Sequence, residues 1–462
     1  MEFVVGILLL LTFFGLAYYC IKGHNLMIGF LIITILWTAL SFLGAAFASP
    51  EFLSTTAFYS NGEPVKAIAI LNKIYQSAPE GWGTTLVNVC WGAWFGRVLM
   101  ETGIASTLIR KTVELGGDKP MVTIALLNIV TAIIFTAMTG AGPVIAIGVI
   151  VLPIMMSLGV PKAIAMFSFM ESVAAGIYLN PVNFTQYRAF FIEIDEMPNF
   201  TLGWYAGKWG YAALIISVVV TTILAGFFLK KSKTSHAWAA QTRGASEQKD
   251  APLYTLILPI VPVVLKIWLD FSVIGGFVIA GFAALFLCGK MKGSFKENCQ
   301  LVNKLYYDGV VDTAPLVGFL LTLPMFNTCA SYASPYFKEV LGGIMPTNEY
   351  VVCALFAALS ILGFFRGPLT LYGCGAATLG VLSAVGHFSV PFLFCVFTIP
   401  ATTVNVGSCI TQSWIAWGLA YTKVESRDYL KLSIPFAYIC SILLYILTAF
   451  TVTGLGPEWF LS

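Results

Sequence analysis

The chain has very little charge for its length. Only 10% of its 462 residues are Asp, Glu, Lys or Arg, whereas 58% are hydrophobic. A soluble domain carries charge on about 25% of its residues, so this chain cannot cover itself with a polar surface. It also lacks the alternating segments of about 10 residues that are typical of transmembrane β-barrels. Its apolar runs approach the ~20 residues with which a helix crosses a bilayer. The composition therefore predicts an all-α polytopic membrane protein that lies in a lipid bilayer.

Several kinds of chemistry are excluded by residues that are scarce or absent. The chain has three histidines and ten cysteines, none in a C-x-x-C pair, so we expect no metal site and no cofactor. It has no block of like charges that would bind nucleic acid and no phosphate-binding loop. A membrane-embedded enzyme would need a cluster of His, Asp or Cys near an interface, so we do not expect an enzyme. The first apolar run, Phe3 to Tyr19, has neither a basic start nor a cleavage site, and we expect a retained helix.

Two distant stretches share one sequence template. Gly142 to Gly148 reads GPVIAIG, and Gly367 to Gly373 reads GPLTLYG. A second pair lies upstream in nearly the same register: Thr102 followed by Leu115-Gly116-Gly117, and Thr328 followed by Leu341-Gly342-Gly343. These matches indicate an internal duplication. In a membrane protein, corresponding Gly/Pro interruptions in two halves are typical of a secondary transporter and its binding site.

The basic residues between the apolar runs predict the topology. If every run crossed the membrane, the basic loops would fall on both sides. If 120–158 and 349–385 are re-entrant hairpins, every basic loop is cytoplasmic and the acidic 185–202 loop is outside. Each half then has five transmembrane helices plus one re-entrant hairpin, and the second half is inverted. The predicted organisation, with both termini outside the cytoplasmic (inner) membrane, is an N-terminal repeat (1–229), a cytoplasmic linker (230–252) and an inverted C-terminal repeat (253–462).

The hairpin tips are predicted to bind the substrate. We expect Pro143 and Pro368 to begin the returning helices, whose N-termini would attract an anion. Arg366 is a candidate to clamp a carboxylate through its planar guanidinium, or to form an internal ion pair with Glu171. The candidate residues on the tips are Thr139, Gly140, Gly142, Arg366 and Gly367.

The helices that follow the hairpins are expected to be broken near mid-bilayer. Glu171 lies about 14 Å along its helix from Lys162, and the stretches Glu171–Gly176 and Ala401–Ser408 hold corresponding positions. Glu171 is a candidate proton or ion carrier, or else a structural hydrogen-bond partner. Small polar residues there either bind substrate or let helices pack closely. The substrate-binding candidates are Ser172, Gly176, Asn180, Thr402, Thr403, Asn405 and Ser408, with the polar lining continued by Asn183 and by Thr411-Gln412-Ser413.

The remaining charges are expected to be structural. Arg97 and Glu101 have the i,i+4 spacing of a helical ion pair. Asp308 and Asp312 are expected at the start of a helix, where they would complement its dipole. Segment 49–80 is expected outside the membrane, with an interfacial helix near Pro64 to Gln76, and its role is open.

The hairpin sequence carries a family resemblance. Thr139 to Pro161 (TGAGPVIAIGVIVLPIMMSLGVP), Ile21-Lys22-Gly23 and Leu253 to Pro262 (LYTLILPIVP) are similar to segments of anaerobic C4-dicarboxylate carriers. The first also resembles lactate and gluconate permeases, and all belong to the ion transporter superfamily. The resemblance implies an organic-anion carrier, a homodimer and elevator-like motion. The Ser-Asn-Thr signature of the sodium–dicarboxylate branch is absent at both tips, so the coupling ion, H⁺ or Na⁺, stays open.

The leading hypothesis is an ion-coupled symporter of a small organic anion, either a hydroxycarboxylate or a dicarboxylate. The alternative is a Na⁺/H⁺ antiporter of the same superfamily, with Glu171 as the ion ligand. Such antiporters usually carry several mid-membrane carboxylates, whereas this sequence shows one. A channel is disfavoured because paired interrupted hairpins suit alternating access better.

Overall fold

The computed structural model describes residues 1–455 apart from 23, 55, 61–62, 118, 192–198, 232–249, 342, 344–345, 374 and 386–387. Most of the predicted linker and the acidic residues of the 185–202 loop therefore lie outside the described residues. The described part is almost entirely helical, as predicted. Its one sheet is an antiparallel ribbon of β1 (Tyr59–Ser60) and β2 (Glu63–Pro64).

The helices follow the predicted apolar runs. They are α1 (Glu2–Ile21), α2 (Leu26–Phe47), α3 (Pro50–Ser54), α4 (Ala67–Asn72), α5 (Ala78–Gly81), α6 (Gly83–Glu101), α7 (Ile104–Gly116), α8 (Pro120–Phe135), α9 (Ala141–Ser157), α10 (Lys162–Ile177), α11 (Pro181–Arg188), α12 (Leu202–Tyr205), α13 (Tyr211–Lys231), α14 (Val261–Leu269), α15 (Val273–Leu287), α16 (Phe295–Leu341), α17 (Glu349–Ala358), α18 (Gly375–Val385), α19 (Val390–Ile399), α20 (Ser413–Thr422) and α21 (Ser426–Thr451). Segments Lys73–Ser77, Ala206–Gly210 and Pro400–Ser408 are π-helical, and Leu253–Ile257 and Ser360–Arg366 are 3₁₀-helical.

Helix α16 organises one side of the molecule. Its 47 residues have a length of about 70 Å measured along the helix axis, more than twice the ~30 Å hydrocarbon core of a bilayer. It packs against α1, α2, α6 and α18, and α6 in turn packs against α15. The sequence predicted only the apolar part of this helix, 306–330, because the polar turns before it resemble a loop.

A second group of helices surrounds α10. This helix packs against α8, α13 and the π-helical segment 400–408, and α13 packs on α21. Every residue of 164–177 is buried, as is every residue of 391–408. The segments that follow the two hairpins therefore form the interior of the protein, although their sequences contain Glu, Ser, Thr and Asn.

The two hairpins turn in different ways. In the first, α8 ends at Phe135 and α9 begins at Ala141, with Gly140 at a φ of 96° that L-residues rarely adopt. Pro143 lies in the first turn of α9, as predicted. In the second, the returning helix α18 begins at Gly375, so the prediction that Pro368 starts it is wrong. Between Arg366 and Gly375 the chain turns back on itself and brings Gly373 against the backbone of Arg366. A Cβ at Gly373 would not fit there.

The predicted breaks in the later helices need correction. Glu171–Gly176 is continuous α-helix, and the break comes afterwards, where α10 meets α11 at 67°. Asn180 caps α11 and proline occupies its first position, which stops the preceding helix. In the second half, 400–408 departs from α geometry as a π-helical segment, and the break follows it at 409–412.

Two predicted loops contain helices. The 106–119 loop is largely helical as α7, whose one face is apolar and packs on α8. Within 49–80, α4 and the π-helical turn Lys73–Ser77 cover most of the predicted interfacial helix.

The described helices mark an integral membrane protein. Four are long and apolar enough to cross a bilayer: Met27–Phe47, Leu202–Lys231, Val390–Thr422 and Ser426–Thr451. Two bent pairs, α10 with α11 and α17 with Ser360–Arg366, qualify when each is taken as one span. The count of ten crossings and the orientation of the termini stay predictions.

Candidate functional site

A cavity of about 630 Å³ is lined by residues of both hairpins and of the segments that follow the helix breaks. Thr139, Gly140 and Ala141 contribute from the first hairpin, and Arg366 and Tyr372 from the second. Residues after each break add polar groups. Thr139 and Arg366, which are more than 200 positions apart in sequence, thus line the same cavity. The lining residues that were predicted from the sequence are Thr139, Gly140, Asn183, Arg366, Thr411, Gln412 and Ser413.

Arg366 lies at the strained tip of the second hairpin. Its φ is 62°, and that of Phe365 is 54°. Two successive non-glycine residues in this region cost about 1–3 kcal/mol each, so the surrounding structure must enforce the turn. Its guanidinium donates from Nη1 to the carbonyl of Tyr372 at 3.3 Å and from Nη2 to Oε1 of Gln412 at 3.2 Å. These contacts hold the cation at the cavity wall.

The predicted pairing of Arg97 with Glu101 is wrong. Arg97 binds both carboxylate oxygens of Asp312 at 2.6 Å, and Glu101 pairs with Lys290 at 3.2 Å. Asp312 does not lie at a helix start, because α16 begins at Phe295, long before the apolar run that the sequence shows. The same extension places Asp308 within the helix.

Asp312 belongs to the cavity wall. Its carboxylate lies so close to Gly142, in the first turn of α9, that a Cβ there would overlap it. Gly142 is therefore needed for close approach between the first hairpin tip and the Arg97–Asp312 pair. Gly367 has a comparable role, since a Cβ there would overlap the carbonyl of Leu362.

Helix α11 presents two carboxamides to the cavity. Asn183 and Gln186 are one turn apart, line the cavity and are 6% and 1% exposed. Tyr372 donates from its hydroxyl to Oε1 of Gln186 at 2.7 Å. The Asn180 side chain does not line the cavity. Its oxygen accepts hydrogen bonds from the backbone N–H groups of Val182 and Asn183. Its nitrogen donates to the carbonyls of Phe135, the last residue of α8, and of Met138. Asn180 thus ties the helix break to the first hairpin.

Glu171 lies behind the cavity and is fully buried. The Ser408 hydroxyl donates to its Oε1 at 2.7 Å, and its Oε2 has no hydrogen-bond partner among the described residues. Gly407 packs directly against this carboxylate, and the Tyr429 hydroxyl donates to the carbonyl of Gly407. The ion pair with Arg366, one of the two alternatives considered for that arginine, is not formed in this conformation. Glu171 instead connects α10 to the π-helical segment.

The other predicted residues lie within the helices and outside the cavity lining. Ser172 donates to the carbonyl of Ser168 at 2.7 Å, and Gly176 allows α10 to touch α8. Thr402 and Thr403 bond to the hydroxyls of two α10–α11 tyrosines, Tyr187 and Tyr178. Both amide atoms of Asn405 are buried without a hydrogen-bond partner in the described part of the chain. Their roles in substrate binding stay predictions.

Several lining residues were not predicted from the sequence. They include His24, Asp312, Gln186, Tyr372 and Trp414. Gln186 follows Asn183 by three residues, so helical spacing from a predicted residue was the available signal. Tyr372 sits inside the GPLTLYG template. Asp312 gave no signal, because its partner Arg97 is distant in sequence.

Two comparisons with known proteins found a match, one to a family model and one to a solved structure. Residues 86–292 match the family model described as the C4-dicarboxylate anaerobic carrier, DcuC. The YdaH transporter of Alcanivorax borkumensis, whose crystal structure is described as having an unusual topology, is similar in fold. The TM-score is 0.61 at 14% identity, covering 95% of this chain and 100% of that one. No curated protein matches the sequence. The resemblance to the anaerobic C4-dicarboxylate carriers is thus confirmed by a match over residues 86–292, in a chain that shares its fold with a membrane transporter.

Proposed function

We propose that the protein is a secondary active transporter of a small organic anion that carries a carboxylate. One observation carries this proposal: Arg366 of the second hairpin lines the same cavity as Thr139 and Gly140 of the first. A guanidinium matches the geometry of a carboxylate and binds it through two hydrogen bonds. The family match to a C4-dicarboxylate carrier supports the same class of substrate.

Helix N-termini add to the positive character of the cavity. Ala141, at the start of α9, and Ser413, at the start of α20, both line it. Unpaired N–H groups and the helix dipole favour an anion at such ends. Asp312 is neutralised by Arg97, so its carboxylate does not cancel the charge of Arg366.

We further propose that the chain contains two inverted repeats and works by an elevator-type movement. Elements that would be equivalent in two such repeats pack on each other, which supports the proposal: α6 on α16, α10 on the π-helical segment, and α13 on α21. In this proposal the long α16 and its neighbours form the fixed scaffold. The hairpins and the helices around α10 move with the substrate. A homodimer through the scaffold follows from the family resemblance.

Glu171 is the proposed coupling residue, for H⁺ or Na⁺. Its carboxylate is buried, bonded through one oxygen only, and lies against Gly407 next to the break that leads to Thr411 and Gln412 in the cavity wall. A change in its charge would therefore act on the segment that also holds the substrate.

Uptake into proteoliposomes tests the proposal. The purified protein would be reconstituted and supplied with labelled C4-dicarboxylates, hydroxycarboxylates and a neutral control such as glycerol, with imposed pH or sodium gradients. We expect saturable, gradient-driven uptake of a carboxylate and none of glycerol. Absence of uptake for every acid, with Na⁺/H⁺ exchange instead, would support the antiporter.

A further inference from the structure

We propose that Asn183 and Gln186 form a second, uncharged subsite that selects a hydroxyl-bearing carboxylate over its unsubstituted analogue. The inference rests on the proposed function and specifies its substrate class. It starts from two polar atoms that have no hydrogen-bond partner among the described residues: Oδ1 of Asn183 and Nε2 of Gln186. Both atoms are buried by the surrounding protein.

The two carboxamides occupy one face of α11, one turn apart, on the wall of the cavity that Arg366 also lines. Unsatisfied buried polar groups are rare in proteins and cost free energy. Two of them beside an anion cavity are explained if a ligand supplies their partners.

The orientation of Gln186 is fixed by Tyr372. Because the Tyr372 hydroxyl donates to Oε1 at 2.7 Å, the free end of this amide is its NH₂ group, which can only donate. Its partner on the ligand must therefore be an acceptor, such as a carboxylate oxygen. Tyr372 also supplies the carbonyl that holds Arg366, so one residue positions both the guanidinium and the amide.

The free atom of Asn183 is an acceptor. Its partner on the ligand must donate a hydrogen bond, and a carboxylate at neutral pH has no donor. A hydroxyl group next to the carboxylate supplies one. The combination of a guanidinium, an amide donor and an amide acceptor therefore matches a hydroxycarboxylate better than a plain dicarboxylate.

The test compares two acids that differ by one hydroxyl group, 2-hydroxysuccinate and succinate, in the uptake assay with the full-length protein. We expect the wild-type KM to be about tenfold lower for 2-hydroxysuccinate, because a site built to bond a hydroxyl penalises its absence. Asn183→Leu should reduce this ratio to about twofold or less. Gln186→Leu should raise both KM values about tenfold and keep the ratio, because both acids carry carboxylates.

Further variants control the experiment. Tyr372→Phe keeps the ring and frees the Gln186 amide, so it should raise both KM values less than Gln186→Leu does. Gln76→Leu, outside the cavity, should change neither. Asn183→Ala repeats the test if the leucine variant does not fold. Equal wild-type KM values, or a ratio that survives in both Asn183 variants, would overturn the subsite alone. Uptake of another carboxylate but of neither of these two acids would also overturn the subsite alone, whereas uptake of no acid at all would overturn the proposed function with it.

Discussion

Arg97 and Asp312 form a two-point ion pair between α6 and α16. Nε and Nη2 of the guanidinium each donate to one carboxylate oxygen at 2.6 Å. The side chains are 28% and 14% exposed, and the carboxylate lies against Gly142 at the first hairpin tip. The pair therefore joins two helices of the proposed scaffold and forms the wall on which that tip rests.

Breaking this pair should destabilise the protein. We expect Asp312→Asn to lower the free energy of unfolding by about 2 kcal/mol, because it leaves the guanidinium of Arg97 largely desolvated without its carboxylate. Chemical denaturation in detergent would measure the change. The double variant Arg97→Gln/Asp312→Asn should recover part of the loss.

A surface pair provides the control. Asp428 and Lys431 are more than half exposed, and such pairs contribute little to stability. Asp428→Asn should therefore leave unfolding unchanged within error. Equal effects of Asp312→Asn and Asp428→Asn would contradict the structural role of the Arg97–Asp312 pair.

Glu171→Gln should separate transport from coupling. Glutamine can still accept the hydrogen bond from Ser408, but it cannot take up a proton or carry a negative charge. We expect uptake of the acid to persist down its own gradient and to lose its response to an imposed pH or sodium gradient. Glu101→Gln, at the exposed pair with Lys290, should keep that response. A Glu171→Gln protein with the wild-type response would remove Glu171 as the coupling residue.

Gly407 is predicted to be intolerant of a side chain. A Cβ there would overlap Oε2 of Glu171 and lie 3.0 Å from the Cβ of Ala174. Overpacking of this kind costs about 1–3 kcal/mol, so we expect Gly407→Ala to lower the midpoint of thermal unfolding. Gly15→Ala, in α1 with no atom within 4 Å of the added methyl, is the matched control and should not destabilise. Similar midpoints for the two variants would show that Glu171 is not held as described.

The predicted topology places α7 and the linker on the cytoplasmic side of the membrane. A contact between α7 and the end of the linker allows this prediction to be tested. Arg110 pairs with Asp250 at 2.5 Å, and Thr107 accepts from the backbone of Ala251 at 2.9 Å. The two segments must therefore lie on the same side of the membrane. We expect single cysteines at Leu115 and Asp250, with Cys299 replaced by serine, to react with an impermeant reagent from the cytoplasm only. Labelling of either site from outside would contradict the predicted topology.

The sequence predicted much of the arrangement because composition and periodicity depend on local residues. Low charge and apolar runs identified helices that are long and apolar enough to cross a bilayer, and both copies of the Gly-Pro template adjoin residues of the cavity wall, Ala141 and Arg366. Arg366 was recognisable because an arginine inside an apolar run requires an explanation.

The errors arose where distant residues decide the structure. Arg97 has a suitable partner four residues away, Glu101, yet it pairs with Asp312, and only the packing of α6 on α16 reveals this. The break was placed too early, at Glu171–Gly176, which packing keeps α-helical. Because Gly176 has no side chain, α10 can touch α8 there, and the chain breaks where Asn180 caps the next helix and Pro181 begins it. Gln186 and Tyr372 become informative only when the two halves meet.

The central claim is that an organic anion binds at Arg366, between the two hairpin tips. Equilibrium binding to the purified protein, using the acid that is taken up most efficiently, tests it most directly. We expect Arg366→Gln to weaken binding by about 100-fold, in line with the ~1.5–3 kcal/mol of a charge-assisted hydrogen bond, while gel filtration and thermal unfolding stay as in the wild type. Arg366→Lys should give an intermediate affinity, because it keeps the charge and loses the two-point geometry. An Arg366→Gln protein that binds the acid as tightly as the wild type would contradict the account.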